Sequence, residues 1–310
     1  MMPTRTGRKH AGAALITALL VVALATTLAS TLIWRQDLWL RQVETRRDLA
    51  QARLLAIAGI DWARAVLADD ARTTVYDHNS EPWGTKVPQM PAEGGEIGGE
   101  MSDESSKYNL NNLLANGKIN PVELEVFKRL LKLLQLPSEL AIALGDWLDG
   151  LKQASPGGAE DAYYLELAPP YRSANRELGD VDNLARVRGY DAAIIERLRP
   201  YVTALPGYNR VNLNTASAIV IAAELPGLSL SEATQIIANR DRIPLRDMTD
   251  FRNRLPKPEL LNAEDQARVD TRSRYFSATI SARFGHAEVS YQALLDRINA
   301  WPDIVWQKAL

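Results

Sequence analysis

The sequence predicts an α+β protein in which a long N-terminal helix and an antiparallel sheet are interrupted by a large all-helical insertion. Three observations carry this: an uncharged apolar run near the N-terminus that continues as an amphipathic one, strand-like segments before about residue 110 and after about residue 271, and helical periodicity between them. At 310 residues the chain is long enough for two compact units. Its 46% hydrophobic and 24% charged residues are ordinary values, and a formal charge of -2 gives no bulk attraction for nucleic acid or anionic lipid. With no cysteine, disulfides, thiolate metal sites and cysteine nucleophiles are excluded.

Arg5, Arg8, Lys9 and His10 precede an uncharged run from 11 to 33 that is rich in leucine and valine. At about 1.5 Å per residue the run covers roughly 35 Å, enough for a hydrocarbon core of about 30 Å. The basic residues place the N-terminus in the cytoplasm and the remainder across the membrane. A cleavable secretory signal is the competing explanation, with Ala23-Leu24-Ala25 or Ala29-Ser30 as its cleavage site, but the run exceeds an h-region of roughly 7 to 15 residues. From Arg35 to about Leu67 the chain stays helix-forming and proline-free, with Leu38, Val43, Leu54, Ile60 and Leu67 alternating with Arg41, Glu44, Asp48 and Arg64. A single rod from 13 to about 67, roughly 80 Å long, is expected.

A short basic leader ending in glycine before such a helix resembles the type IV pilin and pseudopilin class. Gly12 followed by Ala13-Ala14-Leu15-Ile16-Thr17 is similar to the start of the GspK family of type II secretion minor pseudopilins. The resemblance implies cleavage by a prepilin peptidase between Gly12 and Ala13. It also draws attention to the fifth mature position, Thr17, where most pilins carry a glutamate that approaches a neighbouring subunit's amino terminus and GspK proteins do not. A subunit lacking that carboxylate suits the tip of a filament.

Tyr76 to Gly99, rich in Gly, Pro and Glu, reads as a loop entering strands. A hairpin is expected next, with residues 96–101 on one side, 108–110 on the other and 103–106 as its turn. Helical periodicity begins near Pro121 and returns over 181–184, 192–201, 215–225 and 231–240; residues 275–284 and 285–295 then read as two strands about Gly285. The expected domains are a leader 1–12, a transmembrane segment 13–33, an amphipathic helix and first strands 34–110, an inserted helical domain 111–270, and C-terminal strands 271–310. The GspK resemblance implies a pilin-like fold carrying such an insertion.

Gly145-Asp146-Trp147-Leu148-Asp149 and Gly158-Ala159-Glu160-Asp161 are acidic strings in an order the family shares. Carboxylate oxygens on loops suit calcium, which takes six to eight oxygen ligands. The resemblance makes Asp146, Asp149, Glu160 and Asp161 the candidate ligands. A further aspartate usual in the family is Leu151 here, which implies weaker binding. The alternative is that these acids cap helices and pair with Arg172 or Arg176. As a general acid and base they lack any nucleophile, metal cage or phosphate loop that would define a reaction, and the three histidines, His10, His78 and His286, have no mutual ligand spacing.

Residues 211–217 and 225–240 resemble a helix-hairpin-helix (SAM-like) module, whose hairpin holds DNA phosphate against backbone N–H groups. Here Ser229 replaces the second hairpin glycine, Leu230 the proline and Glu232 the basic position, so phosphate would be repelled. Asn109-Leu110-Asn111 and Asn212-Leu213-Asn214 hint at an internal repeat, with residues 184–205 as a further such unit. The expectation is a minor pseudopilin, not an enzyme, anchored in the bacterial inner membrane with its body in the periplasm. It would form or cap the pseudopilus tip with GspI-, GspJ- and GspH-like partners. The rival reading, from a different class, is a membrane-anchored DNA receptor.

Overall fold

In the computed structural model, which describes residues 9–92 and 94–310, one helix, α1, runs from Lys9 to Thr73. It contains no proline, so nothing breaks its hydrogen-bond ladder, and it is roughly 100 Å long at about 1.5 Å per residue. From Gly12 to Arg47 every residue is exposed. Beyond that, Ala52, Ala56, Ile60, Ala63 and Leu67 form one buried face at helical spacing. The helix passes the expected end at Leu67, and its last turn is held: Arg72 pairs with Asp69 at 3.1 Å, and Asp70 accepts from Arg297 at 2.8 Å.

After a short turn that buries Trp83 come strands β1 (Val87–Ala92) and β2 (Gly95–Asp103). The first of these lies in the Gly-, Pro- and Glu-rich stretch expected to be loop, and it contains Pro88 and Pro91. It is an edge strand, where a missing N–H costs no ladder bond. The expected hairpin is also corrected. β2 pairs with β1, and 103–106 is a turn capped by Asp103 that leads into the helical body.

That body contains β3 (Tyr108–Asn109), β4 (Leu114–Ala115), β5 (Lys118–Ile119), α2 (Pro121–Leu133), α3 (Glu139–Leu148) and α4 (Asp161–Tyr164). A 3-10 turn at Val181–Arg186 and α5 (Ala192–Leu198) lead to β6 (Val202–Thr203). There follow β7 (Val211–Asn212), α6 (Ala218–Glu224), α7 (Leu230–Arg240), α8 (Met248–Arg254), α9 (Ala263–Arg268) and β8 (Val269–Asp270). The sequence reading missed α8 and α9, each a short helix with a single strong core anchor or none: Phe251 in the first, only polar burial in the second. The body has its own core, in which Leu110, Phe127, Leu130, Leu144, Leu184, Val220 and Phe251 are fully buried.

The chain returns to the sheet as β9 (Tyr275–Phe284), β10 (Ala287–Asp296) and β11 (Asp303–Ala309). All pairings are antiparallel, in the order β1-β2-β9-β10-β11. The β9–β10 turn is Gly285-His286, with Gly285 at φ +56°, a conformation that favours glycine. One face of the sheet packs Phe276, Ala278, Ile280, Ala282, Ala293 and Leu295 against the buried face of α1. Gly59 permits that approach, since a Cβ there would meet Ile280 at 2.7 Å and Ile97 at 2.8 Å.

The sheet lies lengthwise along α1. Its Gly285 turn is beside Asp48, whose carboxylate accepts from His286 N at 3.1 Å, whereas Ser273 and Arg297 are beside Asp77 and Asp70. The helical body is inserted between β2 and β9 at the second of these ends, far from the apolar half of α1.

The two Asn-Leu-Asn strings do the same work twice. Asn111 accepts from Leu178 N at 2.8 Å and donates to Leu178 O at 2.9 Å. Asn214 does both with Leu245, at 2.8 Å each. Each string is flanked by a short parallel strand pair, β3 with β6 and β7 with β8.

Candidate functional site

The apolar half of α1 contains an 18-residue window of mean hydropathy 2.2, and α1 is the one helix among the described residues long and apolar enough to cross a membrane. Gly12 and Ala13 are helical and exposed, whereas Arg5 and Arg8 lie outside the described residues. The Thr17 hydroxyl donates back to Ala13 O at 3.1 Å and Ala14 O at 2.9 Å. Its polarity is therefore satisfied within its own helix, and it presents no charge to a neighbour.

Where the body joins the sheet, burial forces an ionic network. Among the described residues, Asp70, Asp77 and Glu81 bring carboxylate oxygens within 4.8 Å of one another, all buried. The Arg297 guanidinium donates to Asp70, to Asp77 and to Ser273 O, and it lies over the Phe276 ring at 4.8 Å. Glu81 accepts from Thr74 Oγ1 at 2.8 Å and from Trp83 Nε1 at 2.8 Å. Burial, reinforced by the Glu81 charge, still pushes Asp70 up to about 6.

One step further in, Asp103 accepts from Ser105 N, Thr215, Ser273 and the Asn212 amide. Burial pushes it up to about 6 against those hydrogen bonds. Asn212 also donates to Asp77 O, so the junction links α1, the sheet and the body through side chains up to 135 positions apart in sequence from Asn212. The sequence reading singled out Asn212 but missed Asp70, Asp77, Glu81, Asp103 and Arg297, because no local pattern marks partners so remote.

The candidate calcium residues separate into two groups. Asp146 at the end of α3, Asp149 just beyond it and Glu160 are 3%, 3% and 5% exposed. Asp146 accepts from Ser155 N at 2.9 Å, Asp149 from Leu151 N at 2.9 Å and Glu160 from Ser173 Oγ at 3.1 Å. None of the three pairs with an arginine or lysine within 4.0 Å among the described residues, and Glu160 Oε1 is buried with no partner. Burial raises the Asp149 pKa and the Asp146 charge raises it further; Glu160 is raised by burial and then by both Asp146 and Asp149.

The three are near enough for their charges to act on one another, but among the described residues it is Asp70, Asp77 and Glu81, and not these three, whose carboxylate oxygens all meet within 4.8 Å. Asp161 stands off: it accepts from Ser173 N and Oγ at 3.0 Å each, and it is 3.9 Å from Arg172. The alternative of arginine pairing therefore describes Asp161 and not the other three. Leu151, in place of a further aspartate, is exposed at the rim of the cavity beside Asp146 and Asp149.

At the hairpin before α7, Ser229 Oγ accepts from Glu232 N at 3.2 Å, and the Glu232 carboxylate accepts from Ser229 N at 2.9 Å and Ser229 Oγ at 2.7 Å. This capping box places the chain's own carboxylate on the N-cap N–H of Ser229, while the Ser229 hydroxyl takes Glu232 N. Those hydrogen bonds hold the Glu232 pKa below the usual range.

Comparison with known proteins sets these features in a family. The family described as Type II secretion system (T2SS), protein K matches residues 106–207 and again 211–271, the two halves of the helical body. A type II secretion system protein K of Pseudomonas aeruginosa is 37% identical over 261 residues, covering 80% of this chain and 78% of that one. The chain belongs to the type II secretion system protein K family. Another protein K, from Klebsiella pneumoniae, is 32% identical over 308 residues and aligns over 93% of each chain. A solved chain from the GspK-GspI-GspJ complex of the enterotoxigenic Escherichia coli type 2 secretion system has the same fold, with a TM-score of 0.73 at 21% identity over 87% of this chain and 99% of that one.

Proposed function

We propose that this protein K is the minor pseudopilin that forms the tip of the periplasmic pseudopilus. The observation that carries this reading is the placement of the helical body, joined at the end of the sheet beside Asp70 and Asp77 and remote from the apolar half of α1. With residues 13–33 in the inner membrane and the N-terminus cytoplasmic, the body stands at the membrane-distal end. A subunit stacked above it would collide with it. The exposed stripe of α1 through Trp39, Val43, Leu54 and Ile57 gives partner helices an apolar face below the body. Thr17 supports the same position, since it has no carboxylate to engage a subunit above.

Processing by prepilin peptidase between Gly12 and Ala13 belongs to this reading, as do GspI-, GspJ- and GspH-like partners. The helical body reads as two helix-hairpin-helix-like units that serve as a rigid scaffold. DNA binding is not part of this reading, because the Glu232 carboxylate occupies Ser229 N and places a negative charge at the hairpin where a DNA phosphate would sit.

Calcium is the ion that the acidic loop fits best. Three buried carboxylates without a protein cation, one with an unpartnered oxygen, need a hard positive charge. Asp146, Asp149 and Glu160 would hold it, with backbone carbonyls and water filling the rest of the shell. Its contribution would be to neutralise and fix the loop. Asp161 would act by holding Ser173 through its backbone N–H, leaving the Ser173 hydroxyl to donate to Glu160.

The test is co-purification of the full chain in detergent with the GspI-, GspJ- and GspH-like proteins of its own organism, read by light scattering. A complex of defined mass is expected. Binding of duplex DNA with no such complex would replace this reading with that of a membrane-anchored receptor.

A further inference from the structure

The two halves of the helical body meet along α2 and α6, and two glutamates are buried in that seam. Glu123 of α2 and Glu224 of α6 are each 1% exposed. Glu123 Oε1 accepts from Tyr208 OH at 3.1 Å, while Glu123 Oε2 is buried with no partner. Glu224 accepts from Arg268 Nε at 3.2 Å, and the same guanidinium donates to Glu224 O and to Asp265. Tyr108 OH donates to Glu123 O at 3.1 Å, and Arg129 Nε donates to Ala223 O at 2.8 Å.

The charges in this seam do not balance. Three carboxyl groups, Glu123, Glu224 and Asp265, face two guanidiniums, Arg268 and Arg129. One excess negative charge out of reach of water is expensive, and so is a buried carboxylate oxygen with no donor. A proton relieves both at the glutamates, because a neutral carboxyl group cancels the excess charge and supplies an O–H; Asp265 Oδ2 is then the acid oxygen of the seam still without a donor. The Arg268 guanidinium already engages Glu224 and Asp265.

We propose that Glu123 and Glu224 hold one proton between them in the folded protein, so that the contact between the two halves of the helical body is a proton-linked latch that loosens as pH rises. The environment of Glu224 agrees. Burial first, and then the Glu123 charge, push it up to about 8 against the pull of Arg268. Burial raises Glu123 as well. The sign follows from linkage. Between the ordinary carboxylate range and about 8 the folded state binds one more proton than the unfolded state, so stability is lost as pH climbs through that window. Asp70 and Asp103 are pushed up only to about 6, so both are ionised in the upper part of the window.

Urea unfolding of the full chain in detergent between pH 6.5 and 8 tests the latch against Glu224→Gln. The wild-type ratio of folded to unfolded protein should fall by up to about tenfold per pH unit more than that of the variant. Parallel pH profiles for the two proteins would overturn the proposal. Glu123→Gln removes the neighbouring charge that helps to raise Glu224, so the loss should be complete at a lower pH than in wild type and should be smaller. A further measurement needs no variant: with carboxyl-carbon labelling of glutamate in the wild type, one glutamate should remain protonated at pH 7. Full ionisation of every glutamate by pH 6 would also sink the idea.

Discussion

Two of the buried sets of acids in this molecule are treated in opposite ways. Asp70, Asp77 and Glu81 cluster beside Arg297, which pairs with the two aspartates and supplies a counter-charge from within the fold. Asp146, Asp149 and Glu160 are as well buried but have no protein cation, and each like-charged neighbour disfavours ionisation of the next. The difference follows from what each must hold. The first triad ties α1 to the last strands of the sheet, and an arginine makes that tie permanent. The second lies in the irregular stretch between α3 and the Val181–Arg186 turn, where there is little regular structure to hold the chain without an added ion.

The sharpest way to break this contrast is Arg297→Gln. Removing one partner of a buried ion pair costs about 3 to 5 kcal/mol. We expect the variant to melt far below wild type, whatever the calcium concentration. A melt within a degree or two of wild type would mean that the Asp70 triad does not need its arginine.

Removing calcium should have the next largest effect. If calcium is supplied at about a hundred times its dissociation constant, chelation costs about 2.7 kcal/mol. Thermal melts of wild type with and without EDTA should therefore separate, and those of Asp146→Asn should coincide. Coincident wild-type melts would leave the second triad without an ion.

A pH series in EDTA sharpens the point. Asp149 and Glu160 have folded pKa values raised above their ordinary ones, so their contribution is fully present below the ordinary carboxylate range and is lost as pH rises through the raised values. The calcium-free wild type should thus lose stability with rising pH, and added calcium should flatten that loss. An unchanged slope on adding calcium would show that the ion is not neutralising these groups.

Asp161→Asn should be the mildest change. Asparagine keeps the oxygen that accepts from Ser173, so we expect a cost within about 1 kcal/mol and an intact EDTA response. Loss of the EDTA response would return Asp161 to the ligand set.

Much of this architecture was legible in the residues. The proline-free run from the apolar segment into Ala56, Ile60 and Leu67 gave α1, and Gly285 between two alternating segments gave β9 and β10. Strand β1 was hidden by Pro88 and Pro91, which mark an edge as readily as a loop. The acidic strings drew attention to three carboxylates that the fold buries without a protein cation, whereas the partner of Asp161, Ser173, depends on which way one side chain turns. The Arg297 triad was invisible because its arginine is 227 positions from Asp70, and only folding makes them neighbours.

Helix α1 has one more consequence. From the end of its apolar run at Ile33 to Thr73 it is unbroken, so with that run as the proposed anchor it acts as a ruler that sets the body roughly 60 Å along the helix from the end of the anchor. Excising seven residues from its bare stretch would lower the body by roughly 10 Å while turning it by only about 20°. Excising five would lower it by less but swing it to a different side of the rod. The length of this segment and its phase are thus separate quantities, and an assembly that must meet both a fixed height and a fixed direction would tolerate the first deletion better than the second.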